Sequence, residues 1–269
     1  MRYRIMVEVE YLLSLVELKS FQKKRSLSKK TLSSLRSLYT EFSDKDFKQI
    51  KKIESKTNHD VNAVVVFISE KLEKISRKDL IPLVHFGLTS EDINNTAYSL
   101  MTKGATKNIM VPAIKNVLKE LKKLARRTKS LPMLSLTHGQ PATTTTLGKE
   151  LAVFISRIER ELVLISEINL LAKFSGATGS YAAHKAAFPK ANWSVFAKKF
   201  IKRLGLGQSP ITSQVEPGDS IAELLHSYVR INNILSDFSL DMWLYISRNI
   251  FVQKNVSGEV GSSTMPHKF

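Results

Sequence analysis

The chain has 269 residues, of which 43% are hydrophobic, so it can bury a sizeable core in one or two domains. It contains no cysteine, which excludes disulfide bonds and thiolate metal sites. Its formal net charge of +17 is compatible with an anionic substrate, with nucleic-acid binding or with lysine-rich solvated surfaces.

The basic residues are spread along the chain in short runs. Such runs occur at 23–25, 51–52, 122–123 and 198–199, without interleaved aromatic residues or a recognisable nucleic-acid motif. Solvated helix faces explain them best, and nucleic-acid binding is the more distant alternative. No apolar run is long enough to span a bilayer, and the first residues lack the apolar centre of a signal peptide. We therefore expect no membrane partner and a cytoplasmic location.

Residues 1–83 predict a small N-terminal helical domain made of several short helices. Ser43 and Asp44 are suitable N-terminal caps before Phe47, the first apolar position of one such helix. A polar run at 57–60 interrupts the helical pattern further along.

Residues 84–269 predict a second domain of long helices. Helices are predicted over 89–103, 111–128 and 146–174, and in the third the apolar positions recur at three- and four-residue intervals. A helix as long as the third belongs in a bundle. The polar segment 135–143 predicts a loop.

The rest of the chain continues the helical pattern. Segment 193–204 is amphipathic, and segment 221–252 is apolar on more than one side. Loops are predicted at 175–183 and 210–219, and no run alternates convincingly enough to predict a strand. The expected fold is all-α, and large apolar faces on several long helices indicate assembly of several chains.

The last nine residues, 261–269, are polar and rich in small side chains directly after a helical pattern. They predict a mobile loop built around a hydroxyl, with Gly258 and Gly261 for backbone freedom. Ser262, Ser263 and Thr264 supply hydroxyls, and Lys268 can hold an anion. An ordinary surface loop is the alternative interpretation.

Two histidines lie close to other polar, loop-forming residues. His138 lies in a loop bounded by glycine and proline, which favours proton transfer over a structural role. His85 follows two apolar residues, so a half-buried packing role is equally compatible. Thr89 and Ser90 begin a predicted helix, where they can bind an anion, cap the helix, or do both.

Five motifs together resemble those of a known superfamily. They are the segments 57–60, 85–95, 136–143, 214–217 and 261–269, in the same order along the chain. Three of them are similar to the signature regions of the fumarase/aspartase superfamily. The residues of these motifs resemble those of the adenylosuccinate lyase family in its longer bacterial form. The similarity extends along essentially the whole chain.

The resemblance implies an enzyme of purine biosynthesis that needs no metal or cofactor. It implies β-elimination of fumarate from adenylosuccinate, giving AMP, and from succinyl-aminoimidazole carboxamide ribotide (SAICAR), giving AICAR. His138 matches the general acid and Ser262 the general base. The positions that match substrate contacts are Asn58, His59, Asp60, His85, Thr89, Ser90, Gln214 and Lys268. A homotetramer with composite active sites also follows from the resemblance.

The resemblance is incomplete at both ends of the chain. Family members carry residues before the position of Met1, including a phosphate-binding Gly-Arg-Tyr segment, and continue after Phe269 with the rest of the bundle and a C-terminal domain. We therefore expect a chain truncated at both ends that is inactive by itself. A non-catalytic fragment of that enzyme, or another fumarate-releasing lyase of the superfamily, is the alternative.

Overall fold

The structure is a computed structural model that describes residues 1–18, 21, 27–252, 254 and 256–265. Over these residues the fold is all-α, as predicted, with strands in two short pairings. The first helices are α1 Arg2–Val16, α2 Lys29–Thr40, α3 Asp44–Thr57, α4 Asp60–Lys74 and α5 Ser90–Ala105. The later ones are α6 Val111–Arg127, α7 Leu147–Glu167, α8 Ala182–Ala187, α9 Trp193–Arg203 and α10 Asp219–Ser247. A 3-10 helix, Lys78–Leu83, precedes α5, and a π-helical turn, Thr106–Met110, joins α5 to α6.

The chain divides into two compact units. Unit 1 comprises Met1–Pro112 and Ile168–Glu223, and unit 2 comprises Ala113–Glu167 and Leu224–Phe269. Both units are therefore discontinuous in sequence. The predicted domains, 1–83 and 84–269, are instead two consecutive segments, and this division stays a prediction.

Helix α1 forms the centre of unit 1. Its side chains are buried on nearly every side, including apolar Ile5, Leu12 and Leu15. It packs against α2, α4 and α5. Two acidic side chains, Glu8 and Glu10, are buried with these apolar residues, which requires partners because an unpaired buried carboxylate is costly.

Local capping fixes the start of α3, close to the prediction. The Ser43 hydroxyl accepts a hydrogen bond from the Asp46 backbone N–H at 3.3 Å, and the Asp46 carboxylate accepts one from the Ser43 backbone N–H at 3.1 Å. This is a capping box. Asp44, predicted as a possible cap, is instead the first residue of the helix, where its negative charge complements the helix dipole.

Unit 2 is built on three helical segments, α6, α7 and the part of α10 after residue 223. Side chains from all three form one hydrophobic cluster: Leu118, Leu121, Phe154, Ile155, Ile158 and Ile234. Phe154, Ile155 and Ile158 of α7 belong to the periodic apolar positions that the sequence predicted for this helix.

The prediction that the chain contains no strand, with a loop at 135–143, is wrong. Strands β1 Pro132–Thr137 and β2 Gln140–Thr146 form an antiparallel hairpin closed by a two-residue turn, His138–Gly139. Both turn residues have positive φ, +53° and +73°, as a type I′ hairpin turn requires. The run of four threonines in β2 is β-branched and favours a strand, but irregular alternation concealed it.

The predicted helix 146–174 also ends early. Helix α7 ends at Glu167, and β3 Leu171–Ala172 pairs in parallel with β4 Gly207–Gln208. Side chains distant in sequence satisfy the backbone here: Asn95 bonds both the N–H and the C=O of Lys173, at 2.8 and 3.0 Å. Hydrogen bonds to distant side chains thus take the place of hydrogen bonds within a helix, and they cannot be predicted from neighbouring residues.

Helix α10 begins two residues before the predicted start and ends at Ser247 rather than Val252. Several of its apolar side chains in unit 2 are exposed: Leu225, Val229, Leu240 and, at 64% exposure, Trp243. Within the described part of the chain, none of the helices is both long and apolar enough to cross a membrane.

Candidate active site

The start of α5 is the centre of the candidate site in unit 1. Thr89 caps the helix, and its backbone N–H donates to the Asp92 carboxylate at 2.9 Å. Ser90 is the first helical residue. Free N–H groups and the positive dipole end at this position suit an anionic ligand.

The 57–60 motif lies within reach of this helix start. Asn58 ends α3 in the left-handed conformation, at φ +51°, and His59 caps α4 by accepting the Asn62 backbone N–H at Nδ1, 3.2 Å away. A neutral His59 therefore carries its proton on Nε2, which lies 3.4 Å from the Ser90 hydroxyl. Asp60 forms a 2.7 Å ion pair with Arg4.

Gln214 reaches the same helix start from a distant part of the sequence. Its side-chain amide donates to the Thr89 hydroxyl at 3.4 Å. Its loop is held by the buried Glu216, which accepts from Ser209 Oγ at 2.9 Å and from the Gly218 backbone N–H at 2.7 Å. Unit 1 thus brings together His59, Thr89, Ser90 and Gln214, all predicted site residues.

His85 lies on the approach to α5 and is tied to α1. Its backbone is left-handed, at φ +59°. Its ring Nδ1 lies 2.6 Å from the carboxylate of Glu8, whose side chain is fully buried. Sequence analysis missed Glu8, although an acidic residue within the apolar run of α1 could have indicated it.

A second buried carboxylate, Asp92, holds the helix start in place. Lys173 Nζ lies 2.8 Å from it, and both side chains have no exposure to solvent. The same carboxylate accepts backbone N–H groups from Ser175 at 2.9 Å and from Gly176 at 3.1 Å. Lys173, also missed, lies within an apolar run of the sequence, which was the available signal.

His184 is a buried histidine next to the 85–92 segment. The Tyr11 hydroxyl links His184 to the backbone of this segment. The hydroxyl donates to the Phe86 carbonyl at 2.7 Å, so the His184 Nε2–H must donate to that hydroxyl, 2.9 Å away. Nδ1 then has no hydrogen-bond partner among the described residues. Burial lowers the pKa of His184 to about 4.

This burial predicts an acid sensitivity that can be measured. In the unfolded chain His184 takes up a proton near the ordinary histidine pKa of 6.5, whereas the folded chain does so only near 4. The unfolded state therefore binds more protons between these values, and His184 lowers the free energy of unfolding by up to about 3 kcal/mol as pH falls through this window. We expect the free energy of unfolding in urea to fall less between pH 7 and pH 4.5 for His184→Gln than for the wild type.

The matched control is His226→Gln, which removes an exposed histidine from α10. The pKa of His85 is raised, so its stabilisation is present at low pH and is lost as pH rises, opposite to His184. Both variants keep His85, and the comparison therefore isolates His184. If the free energy of unfolding falls equally between pH 7 and pH 4.5 in the wild type and both variants, the His184 ring is not buried in its neutral form.

His138 and Ser262 belong to unit 2. His138 is exposed at the tip of the hairpin. Ser262 is half-buried in the final loop, where its Oγ accepts backbone N–H groups from Thr264 at 3.4 Å and from Met265 at 3.1 Å. The remaining predicted site residue, Lys268, lies outside the described residues.

The hairpin also lines a cleft of about 430 Å³ within unit 2. Glu150 and Asp241 contribute carboxylates to this cleft, and Tyr245 and Arg248 also line it. Burial and the nearby acidic groups raise the pKa of Asp241. In the part of the chain that the structure describes, no three histidine or acidic side chains are grouped as a metal site would require.

Comparison with known proteins gives the class of this chain. Its helical fold is similar to the crystal structure of fumarate lyase from Mesorhizobium sp. BNC1, with a TM-score of 0.73 and 21% identity, over 91% of this chain and 54% of that one. The profile of the Lyase family matches residues 3–269. The fold and the match together place the chain in a family of helical proteins that is described as a lyase family. The chain belongs to the Lyase family, and the predicted superfamily is confirmed.

Two relatives narrow the resemblance. Adenylosuccinate lyase of Buchnera aphidicola subsp. Acyrthosiphon pisum (strain APS) is 42% identical over 271 residues, covering 100% of this chain and 59% of the relative. Adenylosuccinate lyase of Dictyostelium discoideum is 44% identical over 274 residues, covering 99% of this chain and 59% of the relative. The chain thus spans 59% of the length of these relatives.

Proposed function

We propose that the protein is an adenylosuccinate lyase that removes fumarate from adenylosuccinate, giving AMP, and from SAICAR, giving AICAR. The observation that carries this proposal is identity of 42% and 44%, over essentially the whole chain, to proteins of that name. Because the chain spans 59% of their length, the activity of the whole protein is inferred from this part. The proposed place of action is the cytoplasm, which cell fractionation tests.

The proposed elimination needs one base and one acid. The base removes a proton from the carbon beside a carboxylate, and the acid protonates the departing nitrogen. Ser262 is the proposed base. Two backbone N–H groups point at its Oγ, and such donors stabilise the negative charge of an alkoxide. His138 is the proposed acid, since an imidazolium can give up its proton near neutral pH.

Substrate binding is proposed at the start of α5. The N–H groups and hydroxyls of Thr89 and Ser90 would hold one anionic group of the substrate. His59 and Gln214 support this because each lies 3.4 Å from one of these hydroxyls. The proposed contacts also include Asn58, Asp60 and His85, with Lys268 as the partner of a substrate carboxylate.

Fumarate release by the full-length protein tests the proposed function. The purified protein is given adenylosuccinate, SAICAR or argininosuccinate, and fumarate is measured. We expect release from the first two substrates. Release from argininosuccinate alone would favour another lyase of the family, and release from none of the three would contradict the proposal.

The proposed assembly is a homotetramer in which different subunits contribute to one active site. The exposed apolar side chains of α10, including Leu240 and Trp243, support association, because such a surface is unfavourable in water. A closed symmetric oligomer would cover it.

Complementation tests the composite sites. A His138→Asn variant and a Ser262→Ala variant, each expected to be inactive alone, are denatured together and refolded as mixed oligomers. If one site takes His138 and Ser262 from different subunits, part of the fumarate release should return, up to about one quarter for random mixing of two subunits per site. Each variant refolded alone is the control, and inactive mixed oligomers would contradict the arrangement.

A further inference from the structure

Glu8 forms two hydrogen bonds to His85, one to its ring and one to its backbone. Its Oε1 lies 2.6 Å from ring Nδ1, and its Oε2 accepts the His85 backbone N–H at 3.2 Å. Glu8 has no solvent exposure, whereas the His85 side chain keeps 22%. One carboxylate therefore fixes both the backbone and the ring of a histidine that is partly open to solvent.

The short contact at Nδ1 determines where the ring carries its protons. A carboxylate only accepts hydrogen bonds, so Nδ1 must be the donor. Two negative groups act on the ring, Glu8 from α1 and Asp92 from α5. Asp92 is already paired with Lys173, while Glu8 faces the ring directly. A second proton on Nε2 is thus favoured by a carboxylate that has no contact with water.

We propose that Glu8 is a positioning residue: it holds the His85 ring as an imidazolium, with Nδ1–H donated to Glu8, so that Nε2–H can donate to an anionic oxygen of the substrate. This inference rests on the proposed function, which makes His85 a substrate contact. Burial by itself lowers the pKa of His85. The hydrogen bond and the charge of Glu8, together with the charge of Asp92, outweigh this effect, so the pKa lies above its usual value. The hydrogen bond and the charge of Glu8 both act toward a charged ring.

The first test measures the His85 ring without any substrate. Diethyl pyrocarbonate modifies only the neutral imidazole, and mass spectrometry of the His85 peptide follows its rate against pH. Glu8→Gln keeps a hydrogen-bond acceptor for Nδ1 but removes the charge. We expect its modification curve to move down by about one pH unit, as loss of a close charge requires. Glu8→Asp, which keeps the charge, should restore part of the shift.

Glu10→Gln is the matched control. Glu10 is also a buried carboxylate of α1, but it pairs with Arg36 at 2.8 Å instead of a histidine. Its loss should lower the melting temperature as Glu8→Gln does, without moving the His85 curve. The proposal is overturned if Glu8→Gln leaves that curve unchanged or moves it no more than Glu10→Gln.

The second test measures catalysis by the full-length protein. Glu8→Gln should raise the KM for adenylosuccinate roughly tenfold at pH 8, while wild-type KM should return at lower pH as the ring is protonated. A merely structural role would lower kcat and the melting temperature without this pH dependence of KM. If the wild-type protein releases no fumarate, the proposed function fails, and the modification curve still decides whether Glu8 controls the ring. A KM difference that is constant with pH would overturn the role of Glu8 in substrate binding.

Discussion

Replacing Lys173 by methionine should lower the free energy of unfolding by about 3–5 kcal/mol, because it leaves the Asp92 carboxylate buried without its cation. Both side chains of this pair have no solvent exposure, and Lys173 also donates to the Gly176 carbonyl at 2.6 Å. Methionine fills a similar volume but supplies no charge. Urea unfolding followed by circular dichroism measures the loss.

The matched control is Lys78→Met. Lys78 faces Glu73 at 3.7 Å with both side chains largely exposed, and such pairs contribute about 0–1 kcal/mol. The double variant Lys173→Met with Asp92→Asn should lose less than the sum of the single losses, since neither charge is then left unpaired. Equal losses in Lys173→Met and Lys78→Met would show that the buried pair does not hold unit 1 together.

Loss of either proposed proton-transfer group should lower turnover of the full-length protein by roughly 100-fold or more, while the helical fold persists. His138 is exposed at a hairpin tip and Ser262 lies in a loop, so neither substitution opens a cavity in a core. Because His138 has positive φ, His138→Asn is a better variant than alanine: asparagine tolerates this backbone and cannot act as the acid. Fumarate release and far-ultraviolet circular dichroism measure the two properties.

Ser263→Ala is the control for Ser262→Ala. It removes an exposed hydroxyl one residue further along the same loop, and turnover should stay close to that of the wild type. If Ser262→Ala retains most of its turnover, another group must be the base. If His138→Asn does so, another group must be the acid.

The sequence predicted the helices well where they are periodic and locally capped. Helix α6 begins at the predicted Val111, and α5 begins one residue after Thr89, which caps it as the sequence indicated. Both signals act within one or two turns of helix, so they can be read from neighbouring residues. The family and its fold also followed from the motifs.

Long-range contacts account for what the sequence did not predict. In the non-helical segment 168–174, Asn95 holds the backbone of Lys173, from which it is 78 residues away in sequence. The pairs Glu8 with His85 and Asp92 with Lys173 likewise join residues 77 and 81 positions apart, as counted from their numbers. An isolated acid or lysine in an apolar run indicates that a partner exists, but spacing does not identify it. The roles of the predicted site residues stay predictions.

The discontinuous unit 1 has a consequence for how the chain is made. Its second segment, Ile168–Glu223, is synthesised only after Ala113–Glu167 of unit 2 has been added to the chain. Asp92 therefore leaves the ribosome well before Lys173, while its bond to the Thr89 backbone needs no later residue. Before the second segment has been synthesised, this carboxylate can serve only as a helix cap, because the buried ion pair needs Lys173 from that segment.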